Sequence, residues 1–113
     1  MNCLFCRVIQ KTIPSKMVYE DERVFAFEDI NPQAPVHVLI VPKKHIATVL
    51  ETKPGDNELI GYLFQIGNKI AKDKGIAERG FRLVMNCNPE AGQTVYHIHL
   101  HLLAGRPMHW PPG

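Results

Sequence analysis

Tyr96-His97-Ile98-His99-Leu100-His101-Leu102-Leu103 decides how the rest of this chain is read. Histidine and aliphatic residues alternate with period two, the pattern of a β-strand with one buried face. Successive strand side chains point to opposite faces. Ile98, Leu100 and Leu102 are therefore expected in a core, with His97, His99 and His101 together on the other face. At about 3.3 Å of rise per residue, neighbouring rings stem from Cα atoms roughly 6.6 Å apart. Two rings so placed reach different atoms of one small anion. Three readings stay open: satisfied structural histidines, a metal site, or nucleophilic and acid–base chemistry on a phosphate or acyl group. Imidazole suits the last because it titrates near pH 6.5, so that a neutral ring attacks and a protonated one donates.

With 113 residues the chain reads as one domain, 1–113, large enough for a single core but small for a core plus a deep cleft. A dimer with sites near its seam is a reasonable expectation. The formal net charge is +2 and no dense basic run appears, Lys43-Lys44-His45 being too short for a nucleic-acid partner. No segment is apolar for long enough to cross a membrane. Arg7 interrupts the only apolar run near the N-terminus, which speaks against a signal peptide. The 3 cysteines, an odd count, fit a reducing compartment, and the cytoplasm is the expected location.

Outward from the histidine run, the chain reads as an α+β fold: an antiparallel sheet of about five strands with one long and one short helix. Asn2 is a candidate cap for a short helix through about Lys11, with Leu4, Phe5, Val8 and Ile9 as its stripe. Within it, Cys3-Leu4-Phe5-Cys6 offers two thiolates to zinc, which needs two more ligands from elsewhere; ordinary buried cysteines are the other reading. Residues 17–20 and 23–29 read as a hairpin, followed by a proline-bounded loop, 31–35. The β-branched run 36–41 reads as a central strand ended by Pro42, with His37 as its one polar residue. Asp56 is a candidate cap for the long helix to about Lys74, and Gly75 its stop. A strand at 81–85 and the loop 86–94 lead back to the histidines. Gly92 lets a ligand approach that loop's backbone, and Gln93, Thr94 and Asn86 add neutral donors suited to a phosphate. The tail, 105–113, holds three prolines and Trp110 and forms no regular element.

The segment Gln93-Thr94-Val95-Tyr96-His97-Ile98-His99-Leu100-His101-Leu102-Leu103 resembles the histidine triad (HIT) signature, in which three histidines alternate with apolar residues. Asp29-Ile30, Pro32-Gln33-Ala34-Pro35, His37, Pro42-Lys43-Lys44-His45 and the tail Met108-His109-Trp110-Pro111-Pro112-Gly113 resemble its Hint branch, the histidine triad nucleotide-binding proteins. The resemblance covers nearly the whole chain. It implies a homodimer whose sheets join across the interface. It also implies a purine nucleoside phosphoramidase that cleaves the P–N bond of adenosine or guanosine 5′-monophosphoramidates through a covalent nucleotidyl-histidine.

By position, His99 matches the family nucleophile, and His101 and Thr94 its phosphate-binding partners, with Asn86, Gly92 and Gln93 completing the pocket. Asp29 matches the carboxylate that holds the ribose hydroxyls, with Ile30 beside it. Leu4, Phe5, Ile13 and Phe27 match the apolar walls around the base, and His37 the buried histidine behind the triad. In this scheme the leaving amine takes its proton from His101 or through His37, and no cofactor is required for catalysis. Thr94 stands where many Hint members have serine; it keeps the hydroxyl and adds a methyl. The zinc-bearing relatives join two cysteines to two histidines, here Cys3, Cys6, His45 and the first triad histidine, His97, which would make a closed structural zinc site. The tail is implied to cross to the partner subunit, where Trp110 helps shape the leaving-group side of the pocket. A dinucleoside polyphosphate hydrolase, or a nucleotide- or partner-binding module with weak turnover, is the alternative function.

Overall fold

The computed structural model describes residues 2–113. Five strands form one antiparallel sheet: β1 (Met17–Glu20), β2 (Val24–Glu28), β3 (Val36–Pro42), β4 (Phe81–Val84) and β5 (Leu100–Ala104), in the order β1-β2-β3-β5-β4. Helix α1 spans Leu4–Ile9 and α2 spans Asn57–Asp73. The α+β class, the sheet and the pair of one short and one long helix agree with the sequence reading.

The sheet's two faces are sorted by alternation. Val24, Ala26, Val38, Ile40, Leu100 and Leu102 pack against Leu63, Ile66, Ile70 and Ala71 of α2. Each large aliphatic side chain buried there stabilises the fold by about 1.5–3 kcal/mol. Gly67 lets α2 approach the sheet closely: a Cβ on it would lie 3.3 Å from Leu83 and 3.4 Å from Ile40. Phe25, Phe27, Leu39 and Val41 face the other way and bury Cys3, Phe5, Cys6 and Val8. The candidate site lies on this second face. Between β1 and β2, Asp21 Oδ1 accepts both the Arg23 and Val24 N–H at 2.8 Å, and its Oδ2 accepts the hydroxyls of Tyr19 and Tyr62. That pins the hairpin to α2.

Three local expectations are corrected. The histidine strand begins at Leu100, not Tyr96. Its pairing with β3 starts at Ile40↔Leu100, and beyond it stands Pro42, which has no N–H to give a ladder. The backbone there bonds elsewhere: Ile98 N–H donates to the Ile46 carbonyl at 2.8 Å, and the His97 ring takes the Pro42 carbonyl. The cap of α1 is Cys3, whose Sγ accepts the Cys6 N–H, and the helix stops at Ile9, short of Lys11, which adopts a left-handed φ of 64°. Asp56 stands at the N-cap position of α2 as expected, but its side chain makes no cap hydrogen bond there; it braces the preceding turn by accepting the Lys53 N–H at 2.9 Å and the Lys44 ammonium at 2.6 Å. Gly75, with φ +71°, ends α2 where the sequence placed the stop, and Ile76 N–H reaches back to the Ala71 carbonyl at 3.0 Å.

Candidate active site and metal cluster

A cleft of about 890 Å³ opens on the α1 face of the sheet. Its size suits a nucleotide-sized ligand. Leu4 and Phe5 come from α1, Ile13 from the segment after it, Phe27 from β2 and Leu39 from β3. Phe5 stands edge-on to Phe27 at 5.5 Å and to His99 at 5.0 Å, so one aromatic ring links the apolar wall to the histidines. Asp29 and Ile30 lie at the mouth, and the apolar side chain of Ile30 is 99% exposed. Asp29 Oδ1 accepts the Asn31 N–H at 2.8 Å, and its own N–H donates to the His37 carbonyl at 2.9 Å. Pro14, Ser15, Lys16 and Pro32 also line the cleft. The sequence reading missed them, because nothing in their local pattern says that the 13–16 segment folds back beside Phe27.

The three histidines of the run do not share one face. His99 and His101 both line the cleft with ring centroids 4.9 Å apart, whereas His97 turns away from it. His99 Nδ1 lies 2.8 Å from the His97 carbonyl, which only accepts, so Nδ1 carries the proton and Nε2 keeps a free electron pair. Burial pushes the His99 pKa below the ordinary histidine value. His101 Nδ1 lies 2.9 Å from His37 Nε2. Burial, then the neighbouring His99 and His37 rings, push His101 down to about 4, against the opposing pull of Asp29. His37 is itself buried, lowered by that burial, and receives the Gln33 N–H on its Nδ1 at 3.0 Å. It stands behind His101 and does not line the cleft.

The loop before the histidines reaches the cleft through Thr94. Gly92 has φ +90°, a backbone that glycine tolerates, and closes a short turn over Pro89–Ala91. The Gln93 amide is engaged within the loop: its oxygen accepts the Asn88 N–H at 2.9 Å, and its nitrogen donates to Ala47 and Val95 carbonyls at 2.8 and 3.1 Å. Gln93 thus sets the loop's shape, and neither it, Gly92 nor Asn86 lines the cleft. The tail is tied to the body of the fold by Arg106 donating to the Gln33 carbonyl at 3.1 Å and Arg82 to the His109 carbonyl at 2.9 Å. Trp110 is 83% exposed and lies outside the cleft lining.

On the far side of Phe5, Cys3, Cys6, His45 and His97 converge, each offering one ligand atom within 4.8 Å of the others. Their geometry tests whether zinc fits. With Zn–S near 2.3 Å and Zn–N near 2.0–2.1 Å, a tetrahedron has S···N edges of roughly 3.5 Å and N···N edges of roughly 3.3 Å. The observed S···N separations are 3.4, 3.5 and 3.6 Å, and His45 Nδ1 to His97 Nδ1 is 3.2 Å. His97 Nε2 donates to the Pro42 carbonyl at 2.7 Å, which leaves Nδ1 unprotonated toward the cluster. Burial holds the His97 pKa low and pushes the Cys6 thiol up to about 11. The donor set and its spacing fit a closed tetrahedral site.

The HIT domain family model matches residues 10–108. A purine nucleoside phosphoramidase of Escherichia coli (strain K12) is 49% identical over 105 residues, covering 93% of this chain and 88% of that protein. A 14 kDa zinc-binding protein of Zea mays is 49% identical over 112 residues, covering 97% of this chain and 87% of that protein. A crystal structure of a HIT family hydrolase from Legionella pneumophila Philadelphia 1 superposes with a TM-score of 0.97 at 54% identity, covering 99% of this chain and 100% of that one.

Proposed function

The chain belongs to the HIT domain family, and from that premise we propose that it is a hydrolase, a purine nucleoside phosphoramidase with His99 as nucleophile. One observation carries the reading: a ring whose free nitrogen is fixed as Nε2, because Nδ1 serves the His97 carbonyl, lines an apolar cleft that ends in a carboxylate. The E. coli relative's name supports the choice of substrate.

The purine lies between Leu4, Phe5, Ile13 and Phe27, with Ile30 closing over it. Asp29 accepts the ribose hydroxyls. The phosphoryl group then sits between His99, His101 and Thr94, with the backbone of the Gly92–Gln93 segment beside it and Asn86 at the loop's other end. His99 Nε2 attacks phosphorus and the amine departs, leaving a nucleotidyl-histidine that water hydrolyses to AMP or GMP. Thr94 and His101 hold charge on the non-bridging oxygens. Cys3, Cys6, His45 and His97 hold a structural zinc, which when bound ties α1 to the segment leading into β5. Catalysis asks nothing of it. The working unit is a homodimer, with Trp110 of each tail serving the neighbouring pocket.

The test is steady-state turnover of a fluorogenic adenosine 5′-phosphoramidate. His99→Ala and His99→Asn are expected to lose activity by at least about 10³-fold with an unchanged circular dichroism spectrum. Full rate in His99→Ala refutes the nucleophile. Faster cleavage of diadenosine polyphosphates than of the phosphoramidate would make this a dinucleoside polyphosphate hydrolase. Tight AMP binding with single-turnover chemistry far below 1 s⁻¹, on the order of a hundredth of the usual enzymatic median, would make it a binding module.

A further inference from the structure

Hydrogen-bond direction behind His101 constrains where the leaving group's proton originates. The Gln33 backbone N–H can only donate, and it meets His37 Nδ1 at 3.0 Å. His37 Nδ1 is therefore bare, and the single proton of the neutral ring sits on Nε2. That N–H lies 2.9 Å from His101 Nδ1 and 3.4 Å from Asp29 Oδ2. His101 Nδ1 accepts it, so the His101 proton is on Nε2.

We propose that His101 is a permanently neutral N–H donor to the phosphoryl oxygens, locked in that tautomer by Gln33 through His37, and is not the acid that protonates the departing amine. This rests on the phosphoramidase reading. The argument is a proton count. If His101 gave up its Nε2 proton and refilled from the protein behind it, the proton would have to come to Nδ1 from His37. His37 would then be bare at both nitrogens, because Nδ1 cannot be protonated while it faces the Gln33 N–H. Asp29, the next group along, accepts the Asn31 N–H through Oδ1 at 2.8 Å. A second proton on His101 is equally disfavoured. It would sit on Nδ1 and point at the His37 N–H, two donors face to face. The groups facing His101 are His99 on its own segment, His37 on β3 and Asp29 after β2; the fall of its pKa to about 4 agrees with a ring that stays neutral.

The chemistry balances without it. His99 Nε2 gives its electron pair to phosphorus, and the P–N pair leaves with the amine nitrogen, which takes a proton from water. The hydroxide so formed, or an equivalent water, attacks phosphorus in the second step and returns the pair to His99. One water is consumed. His37 is a positioning residue here, and His101 a catalytic one that stabilises charge without transferring a proton.

The tautomers are read directly by long-range ¹H–¹⁵N correlation on the labelled full chain between pH 8 and 5. His37 and His101 are expected as Nε2–H rings throughout, and His99 as Nδ1–H. An Nδ1–H tautomer at neutral pH, or an imidazolium at His101 by pH 6, overturns the proposal. In kinetics, His101→Gln is expected to lower the rate by a similar factor across amines of rising basicity. A loss that grows steadily with amine basicity marks His101 as the acid and also overturns it. His37→Leu is expected to add an acidic limb to the pH profile of kcat that His37→Gln, which keeps a donor, lacks. Identical profiles for the two remove His37 from the lock. If no phosphoramidate is turned over, the enzymatic reading fails, and the spectra still decide the tautomers.

Discussion

His97 and His99 stand two residues apart and carry their protons on opposite ring nitrogens. A backbone carbonyl sets each: Pro42 takes the Nε2–H of His97, and His97 itself takes the Nδ1–H of His99. One ring is left with an unprotonated Nδ1 toward the cysteines and the other with an unprotonated Nε2, the atom proposed to attack phosphorus. The alternating run marked both residues as candidates for chemistry, yet it placed them on one face. The opposite tautomers were not legible, since that of His97 depends on the Pro42 carbonyl, far away in sequence. At this scale, Asp29→Asn is expected to weaken AMP by about 10–100-fold, the loss of hydrogen bonds to a charged acceptor, while a dideoxy analogue binds the variant and the parent alike. Titration calorimetry with both ligands measures this. The buried rings also set a pH dependence. His101 has a folded pKa near 4 against an ordinary 6.5. The unfolded chain therefore binds more protons in that interval, so stability is complete above about pH 6.5 and falls as pH drops toward 4. Urea midpoints across that range are expected to decline, and less steeply in His101→Asn. An equal decline in both would assign the effect to other groups.

At the scale of elements, α1 is the least self-sufficient part of the fold. It has 6 residues, too short to be stable alone. Its apolar side chains pack on Phe25, Phe27, Leu39 and Val41, and its two cysteines face His45 and His97. Phe5 from this helix also forms part of the wall beside His99. Metal at the cluster would then steady the cleft without touching substrate. Protein purified without chelator is expected to carry about one zinc per chain. Its removal is expected to lower the melting temperature and make Cys3 and Cys6 reactive to thiol reagents. Metal-free protein with the same melting temperature would mean that the thiols merely pack. The strands and α2 were readable from period and punctuation: Pro42 closes β3 and Gly75 closes α2. The start of β5 was not, because Pro42 ends the ladder on the neighbouring strand, and single-strand periodicity carries no information about a partner's missing N–H.

At the scale of the whole molecule, the order β1-β2-β3-β5-β4 leaves β4 as a sheet edge, and an edge strand offers unpaired backbone groups to another chain. The tail is tied beside that edge, since Arg82 of β4 holds the His109 carbonyl. Trp110 follows directly and is 83% exposed in the single subunit. A side chain of that size gains most from burial against a partner. If two copies join their sheets edge to edge, each tail is delivered onto the other subunit. There Trp110 is expected to border the side of the pocket from which the amine departs, because the proposed function gives the cleft's apolar wall to the base. Light scattering is expected to give twice the chain mass at micromolar concentration. Deleting residues 108–113 is expected to change the ranking among bulky and aromatic amine leaving groups more than it changes the rate with a small one. A dimer with unchanged ranking after deletion would confine the tail to the surface. A monomer at all concentrations would leave Trp110 without a pocket to shape.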